Sequence, residues 1–402
     1  MNDSSEHILL IAFGLLLIFI PAVKSTLERS GVPALVGFIL LGFITRSIDT
    51  YFPFITSQFQ NSIAFLAHIG IVALLFRVGL KSNIKGLIRK LPDASIIWVG
   101  DVLVNFVLGF VAARYLLELT LLASLVIAVA LTATSVAVSI VVWQEKGKLN
   151  STNGQLLVDV AELDDLSGLL LFVVLLTIIP LVQANEVVIF SQIATTIVIL
   201  VGKLILFIGF CYLFAHYLES SFTRFNRRWA DPKMGLTISV LGAGLAIAAI
   251  AGYLGFSLAI GALFAGLAFS RDPQAVHTDT RFLIMYEFFT PFFFIHIGMQ
   301  IDPTTITKSI GLAVVLVIIA IIGKIIGVTL PALRNLPKRS ALLLGVSMVP
   351  RAEIAMLIVF QASLLGEEIV SPELYAAMVL VTVLTSIISP VYLRYLFKKQ
   401  KQ

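Results

Sequence analysis

The stretch QLLVDVAELDDLSGLLLFVVLLTIIPLV, residues 155–182, decides how this chain is read. Its length and apolar content suit a membrane-crossing helix, which needs about 20 residues to span a hydrocarbon layer of roughly 30 Å. Yet Asp159, Glu162, Asp164 and Asp165 all fall inside it. A single acid near the middle of a membrane helix costs roughly 2.5–3.5 kcal/mol on insertion scales, so a bare anchor would not carry four. Ionisable residues at that depth point by default to an ion or proton pathway.

The rest of the chain agrees with a membrane setting. Of its 402 residues 59% are hydrophobic and 13% charged, and the mean hydropathy is +1.02. Soluble domains carry about 25% charge. The single cysteine, Cys211, excludes a disulfide framework, a CxxC redox motif and a thiolate metal site. The N-terminus has Asp3 and Glu6 in place of a basic leader, and the apolar run from Ile8 to Val23 has no small-residue cleavage pattern, so it reads as a first span. Basic residues are dispersed over short loops, which argues against nucleic-acid binding despite a pI near 9.2. With no P-loop, HExxH, GxSxG or zinc spacing, an enzyme is not expected, nor a bound cofactor.

Hydropathy and Gly/Pro punctuation predict an all-α polytopic membrane protein with about thirteen spans. Their limits are 7–23, 31–46, 62–80, 94–113, 119–143, 155–182, 188–217, 234–251, 254–270, 282–300, 310–333, 340–365 and 372–393. Charge placement tests the count. One set of loops holds Lys24, Lys81, Lys85, Lys146, Arg227, Arg271, Lys338 and Lys398 among many others, whereas the opposite set holds only Arg46, Arg114 and Lys308. This bias predicts an odd number of spans, with the N-terminus outside and the C-terminus in the cytoplasm.

Two spans are interrupted in the middle, the fifth by Thr132-Ala133-Thr134-Ser135 and the twelfth by Ser347 to Glu353 around Pro350. An odd offset separates them, so they enter from opposite sides. Paired broken spans in two inverted halves are the sequence-level pointer to a transporter binding site, because half-helix ends and freed carbonyls can hold an ion.

Asp164 and Asp165 are adjacent, so their side chains diverge by about 100° on a helix and divide their labour. One carboxylate is neutralised by a base while the other faces a cavity and titrates. Lys324, within Gly323-Lys324-Ile325-Ile326-Gly327, is the candidate base, and its flanking glycines permit close helix approach. A Lys–Asp pair that only stabilises packing is the alternative. Arg351 and Glu353 flank the second break and are expected to tie to freed carbonyls or to Asp159 and Glu162, supporting the broken helix. Asp159, Glu162 and Asp165 form a stripe that would line a cation-concentrating funnel. Thr132, Thr134 and Ser135 offer oxygen ligands suited to sodium, potassium or lithium without choosing among them. Arg77, Lys203, Asp101, Asn105, His68, His216 and His296 read as snorkelling, interfacial or helix-pairing residues.

Several motifs then carry a resemblance. Thr132-Ala133-Thr134-Ser135-Val136, Leu163-Asp164-Asp165, Gly255-Phe256-Ser257 with Gly261 to Gly266, Pro291-Phe292-Phe293-Phe294 with Gly298-Met299, Gly323 to Gly327, and Pro350-Arg351-Ala352-Glu353 occur in the order seen in sodium/proton antiporters of the NapA and GerN kind. These belong to the monovalent cation:proton antiporter-2 group, which includes the Kef potassium efflux systems. The resemblance spans the chain and implies an NhaA/NapA-like fold of inverted repeats with two crossed discontinuous helices. It implies a homodimer in the inner membrane, with core spans at about 94–182 and 310–393 and dimerisation or scaffold spans at about 7–80 and 188–300. It further implies electrogenic, elevator-type exchange of Na+, alternatively K+ or Li+, for H+, with both competing at Asp165 and with Asp164 paired to Lys324. Departures from the family pattern are Ala352 where Gly is usual, Lys81 where many members have Glu, and the acids at Asp159 and Glu162. No Kef-type soluble regulatory domain is expected after Gln402. A sodium-coupled solute symporter and a selective channel are the other classes the residues allow.

Overall fold

The computed structural model describes residues 3–29, 32–53, 55–81, 84–183, 190–218, 221–222, 235–254, 256, 258–269 and 273–398. Regular structure among them is helical. The helices are α1 (Asp3–Arg29), α2 (Ala34–Tyr51), α3 (Ser57–Lys81), α4 (Ile84–Val111), α5 (Leu121–Thr132), α6 (Val136–Glu145), α7 (Thr152–Gln183), α8 (Phe190–Leu213), α9 (Gly235–Tyr253), α10 (Leu258–Phe269), α11 (Pro273–Met299), α12 (Ile306–Ala332), α13 (Lys338–Ser347), α14 (Glu353–Ser363) and α15 (Pro372–Lys398). Every span expected from hydropathy contains one of them. The tight pair around Tyr253 resolves into α9 and α10, and the fifth and twelfth spans each contain two short helices.

Those short helices matter. α5 has 12 residues, α6 has 10, α13 has 10 and α14 has 11. At 1.5 Å per residue each covers only about 15–18 Å, half a bilayer. α5 starts on a built cap, the Thr120 hydroxyl accepting from the Ala123 N–H at 3.2 Å. It stops at Ala133, whose backbone is extended.

Packing divides the chain into two units. The first comprises Met1–Phe54, Lys85–Leu175 and Ile297–Gln402, and the second Ile55–Ile84 with Leu176–His296. In the second unit, α3 and α10 touch backbone to backbone. A Cβ on Gly79 would lie 2.1 Å from the Leu263 carbonyl oxygen, and one on Gly266 would lie 2.0 Å from that of Phe76. Only glycine fits either place. Also in this unit, the Arg77 guanidinium lies 4.3 Å from the centre of the Tyr286 ring, a cation–π contact.

The first unit shows the membrane pattern at single-helix resolution. On α12, Ile310, Val314, Ile318, Ile322, Ile326 and Leu330 are exposed, one every fourth residue. The opposite face buries Ala313, Val317, Ala320, Gly323, Lys324 and Gly327. α4 repeats this, with Val99, Leu103 and Val107 outward and Ala94, Ile97, Asp101 and Asn105 inward. An apolar face outward and a charged face inward is what a lipid solvent selects. Trp143 of α6, Leu157 of α7, Val328 of α12, Leu344 of α13 and Phe397 of α15 close one apolar core beside this polar interior.

Candidate functional site

The two broken spans meet at their breaks. The Ser135 N–H donates to the Pro350 carbonyl at 2.8 Å. On one side of that contact α6 lies against α13, where the Ser139 hydroxyl donates to the Ser347 carbonyl at 2.7 Å and the Trp143 indole N–H to the Ser347 hydroxyl at 2.8 Å. On the other side α5 packs against α14. The four half-helices therefore form a cross, with two helix C-termini and two helix N-termini converging at its centre.

Each converging C-terminus is met by a cation. Lys324 of α12 donates to the Thr132 carbonyl at the end of α5, at 2.6 Å. Arg351, inside the second break, donates through Nη1 to the Met348 carbonyl beyond α13, at 3.3 Å. Both side chains are wholly buried. They neutralise the negative ends of two helix dipoles and fill carbonyls left open by the breaks.

Lys324 also holds two carboxylates, Asp101 Oδ2 at 2.5 Å and Asp164 Oδ2 at 2.9 Å. Those two bonds and the Thr132 carbonyl use all three ammonium donors. Asp101 in turn accepts from Asn105 Nδ2 on its Oδ1 at 2.7 Å. Asn105 Oδ1 accepts from Arg351 Nη2 at 3.1 Å. A continuous chain of polar groups thus runs from Arg351 through Asn105, Asp101 and Lys324 to Asp164, and on to the Thr134 hydroxyl, which donates to Asp164 Oδ2. Asp164 Oδ1, by contrast, is buried with no hydrogen-bond partner among the described residues.

Glycines make this convergence possible. A Cβ on Gly323 would lie 2.6 Å from Asn105 Oδ1, and one on Gly327 would lie 3.1 Å from the Asp101 Cα. α12 therefore approaches α4 closely enough for Lys324 to reach Asp101.

Of the residues singled out in the sequence, Thr132 (through its carbonyl), Thr134, Asp164 and Lys324 come together directly. Ser135 joins the two breaks through its backbone, and Arg351 meets a freed carbonyl and Asn105. Asp159 is half-buried on α7. The side chains of Asp165, Glu162, Glu353 and Lys81 lie outside the described residues, although all four positions are helical. Asp101 and Asn105, read as snorkelling, interfacial or helix-pairing residues, take the last of these roles at full burial, between the two cations. A group that sequence reasoning missed is on α15. Thr385 accepts from the Arg351 N–H at 3.1 Å, while the Ser386 and Ser389 hydroxyls donate to the carbonyls of Arg351 and Val346 at 3.2 and 2.9 Å. Three hydroxyls on one face opposite a broken helix were the available signal.

Crossed half-helices with ionisable residues at membrane depth define a secondary carrier fold, built from inverted halves. Comparison with known proteins gives the family: the transmembrane sodium/hydrogen exchanger family matches residues 14–399, and the chain belongs to it. The high-affinity Na(+)/H(+) antiporter NhaS3 of Synechocystis is 28% identical over 85% of this chain and 72% of its own length. The Na(+)/H(+)-K(+) antiporter GerN of Bacillus cereus is 26% identical over 92% of this chain and 91% of its own. The sodium proton antiporter MjNhaP1 of Methanocaldococcus jannaschii shares the fold, with a TM-score of 0.69 at 15% identity and 98% of each chain covered.

Proposed function

We propose that this protein exchanges a monovalent cation, sodium foremost, for protons by alternating access, with cation and proton competing at Asp165. The observation that carries this reading is the charge balance of the buried centre. Among the described residues, Lys324 and Arg351 face Asp101 and Asp164, two charges of each sign, all wholly buried. Asp165, next in sequence to Asp164, is the additional acid. Moving it through the membrane unprotonated and unoccupied would bury an uncompensated charge, a state disfavoured by several kcal/mol. A proton or a cation removes that charge, so reorientation is restricted to the two loaded states and exchange follows without a leak.

Thr132, Thr134 and Ser135 supply neighbouring oxygens, Asp164 a second carboxylate, and Asp159 and Glu162 the approach, while Arg351 and Glu353 support the second break. Core segments 94–182 and 310–393 move as an elevator, and segments 7–80 and 188–300 form the scaffold through which two copies dimerise. The protein lies in the inner membrane with its N-terminus outside and its C-terminus in the cytoplasm, in line with the distribution of Lys and Arg over its loops. The lysine and paired aspartates favour electrogenic exchange, which requires a second proton per cation beyond the one that competes at Asp165, with the Asp164–Lys324 pair as its carrier. Potassium is the runner-up cargo, a reading supported by the naming of the GerN relative.

The test is reconstitution of the wild type and Asp165→Asn into liposomes, following luminal pH while sodium and then potassium is added, with voltage clamped and unclamped. Cation-driven proton movement lost in the mutant is expected. Proton movement with neither ion would overturn antiport and favour a sodium-coupled solute symporter.

A further inference from the structure

We infer that Asp101 is the permanent counter-ion of Lys324, and that its role in exchange is to let Asp164 leave the lysine when a cation arrives. This rests on the antiport reading above and goes beyond it by adding a positioning residue.

The two carboxylates around Lys324 are held unequally. Asp101 has both oxygens engaged by fixed donors, Oδ2 by Lys324 at 2.5 Å and Oδ1 by Asn105 at 2.7 Å. Asn105 is itself held from two directions. It donates to the Asp101 carbonyl one turn back at 2.8 Å and accepts from Arg351 at 3.1 Å. Each Asp101 oxygen is therefore already tied to a fixed donor. Among the described residues Asp164 is held on one side only: Oδ2 takes the Lys324 and Thr134 donors, and Oδ1 is buried without a partner. A cation can be received there. When it binds, the positive charge of Lys324 and that of the cation compete for one carboxylate, and the lysine must relinquish it.

With Asp164 as its sole partner, Lys324 would be left buried and uncompensated at that step, and the competition would favour the lysine over the cargo. Asp101 changes the outcome because Lys324 retains a carboxylate and the Thr132 carbonyl throughout. The close approach of α4 to α12, allowed by Gly323 and Gly327, places this second acid within reach. Asp101 touches neither cargo nor proton on this account; it acts through Lys324.

The experiment is a double-mutant cycle on the full chain in detergent and in liposomes, using wild type, Asp101→Asn, Lys324→Gln and the double variant. Sodium chloride is the probe, with potassium chloride alongside. Apparent cation affinity is read both from cation-dependent thermal stabilisation and from half-saturation of exchange. Asp101→Asn is expected to weaken apparent cation affinity about tenfold or more, with the maximal rate reduced far less. In the Lys324→Gln background the same substitution is expected to change affinity less than about twofold, since there is no lysine to release. Asp101→Glu is expected to recover part of the loss. An equal loss in both backgrounds, or unchanged affinity in a folded Asp101→Asn protein, overturns the inference. Should Asp101→Asn fail to fold, recovery of folding in the double variant supports the counter-ion role, and no recovery refutes it. Wild type that moves protons with neither cation fails the antiport reading itself, a result separate from any of these.

Discussion

The two breaks at the centre of the first unit are alike in outline and opposite in chemistry. At the first, between α5 and α6, the open carbonyl is met by a lysine from another helix, and that lysine is shared with two carboxylates. At the second, between α13 and α14, the open carbonyl is met by Arg351 from within the break, whose other described side-chain partner is a neutral amide. Hydroxyls of α15 then fasten the backbone on both sides of that arginine. The first break is held by a lysine shared between two carboxylates; at the second, among the described residues, the guanidinium makes charge-assisted hydrogen bonds to a carbonyl and an amide and touches no carboxylate directly. On the proposed reading, inverted halves share a backbone and still divide the work, one end binding and the other bracing.

Lys324→Ala should break this comparison hardest. It strands Asp101, Asp164 and the Thr132 carbonyl together, and removing one partner of a buried pair costs about 3–5 kcal/mol. Arg351→Met leaves the Met348 carbonyl and Asn105 Oδ1 unsatisfied, for which about 1–3 kcal/mol is expected. Thermal unfolding in detergent orders the two. If Arg351→Met proves as damaging as Lys324→Ala, the second break is ionic in function as well, and the contrast drawn here is wrong.

Helix approach comes next. Gly323→Ala drives a methyl group to 2.6 Å from Asn105 Oδ1, so the Asn105 side chain must leave its place between Asp101 and Arg351 or α12 must draw back from α4. Overpacking of this kind costs about 1–3 kcal/mol. Gly311→Ala on the same helix is the control, because a Cβ there meets nothing within 4 Å. That variant should stay within about 0.5 kcal/mol of wild type. Equal effects at the two positions would show that close packing of α12 is not what sets the reach of Lys324.

This contrast also explains how much was legible beforehand. The spans were readable because lipid demands long apolar segments, and the breaks because Thr-Ala-Thr-Ser and Val-Pro-Arg-Ala interrupt two of them. Lys324 stood out as a cation in apolar sequence. Asp101 did not, since an acid just after Trp98 near the start of a span looks interfacial when taken alone. Its depth becomes visible only with the periodicity of α4, where Ala94, Ile97, Asp101 and Asn105 share the inward face opposite Val99, Leu103 and Val107. The glycines of α12 pointed to close contact without saying with which helix. Contacts between spans distant in sequence are fixed by packing, and neither hydropathy nor local propensity encodes them.

Smaller effects separate the breaks by function. Thr134→Val removes the hydroxyl donor to Asp164, and Ser389→Ala removes the donor to the Val346 carbonyl. Each should cost about 1 kcal/mol in stability. Only Thr134→Val should also shift apparent cation affinity, measured by half-saturation of exchange in liposomes. A comparable shift from Ser389→Ala would extend the binding machinery to the bracing end.

The smallest expected effect lies where α6 and α15 meet outside the polar centre. Arg394 donates to both oxygens of Glu145, at 3.0 and 3.2 Å, in a fork whose members are partly exposed. These hydrogen bonds hold the Glu145 carboxyl below its usual value of 4.5. A carboxylate whose folded value is depressed contributes stability above its unfolded value and loses that contribution as pH falls through the folded one. Arg394→Ala should therefore lower the melting temperature slightly at pH 7, by the equivalent of less than about 1 kcal/mol. The difference from wild type should shrink in high salt, and close as the pH is taken below the lowered Glu145 value. Lys324→Ala should respond differently, because its carboxylates are buried beyond the reach of added salt. A salt-insensitive loss at Arg394 as large as that at Lys324 would mean that this pair, too, belongs to the ionic framework of the first break.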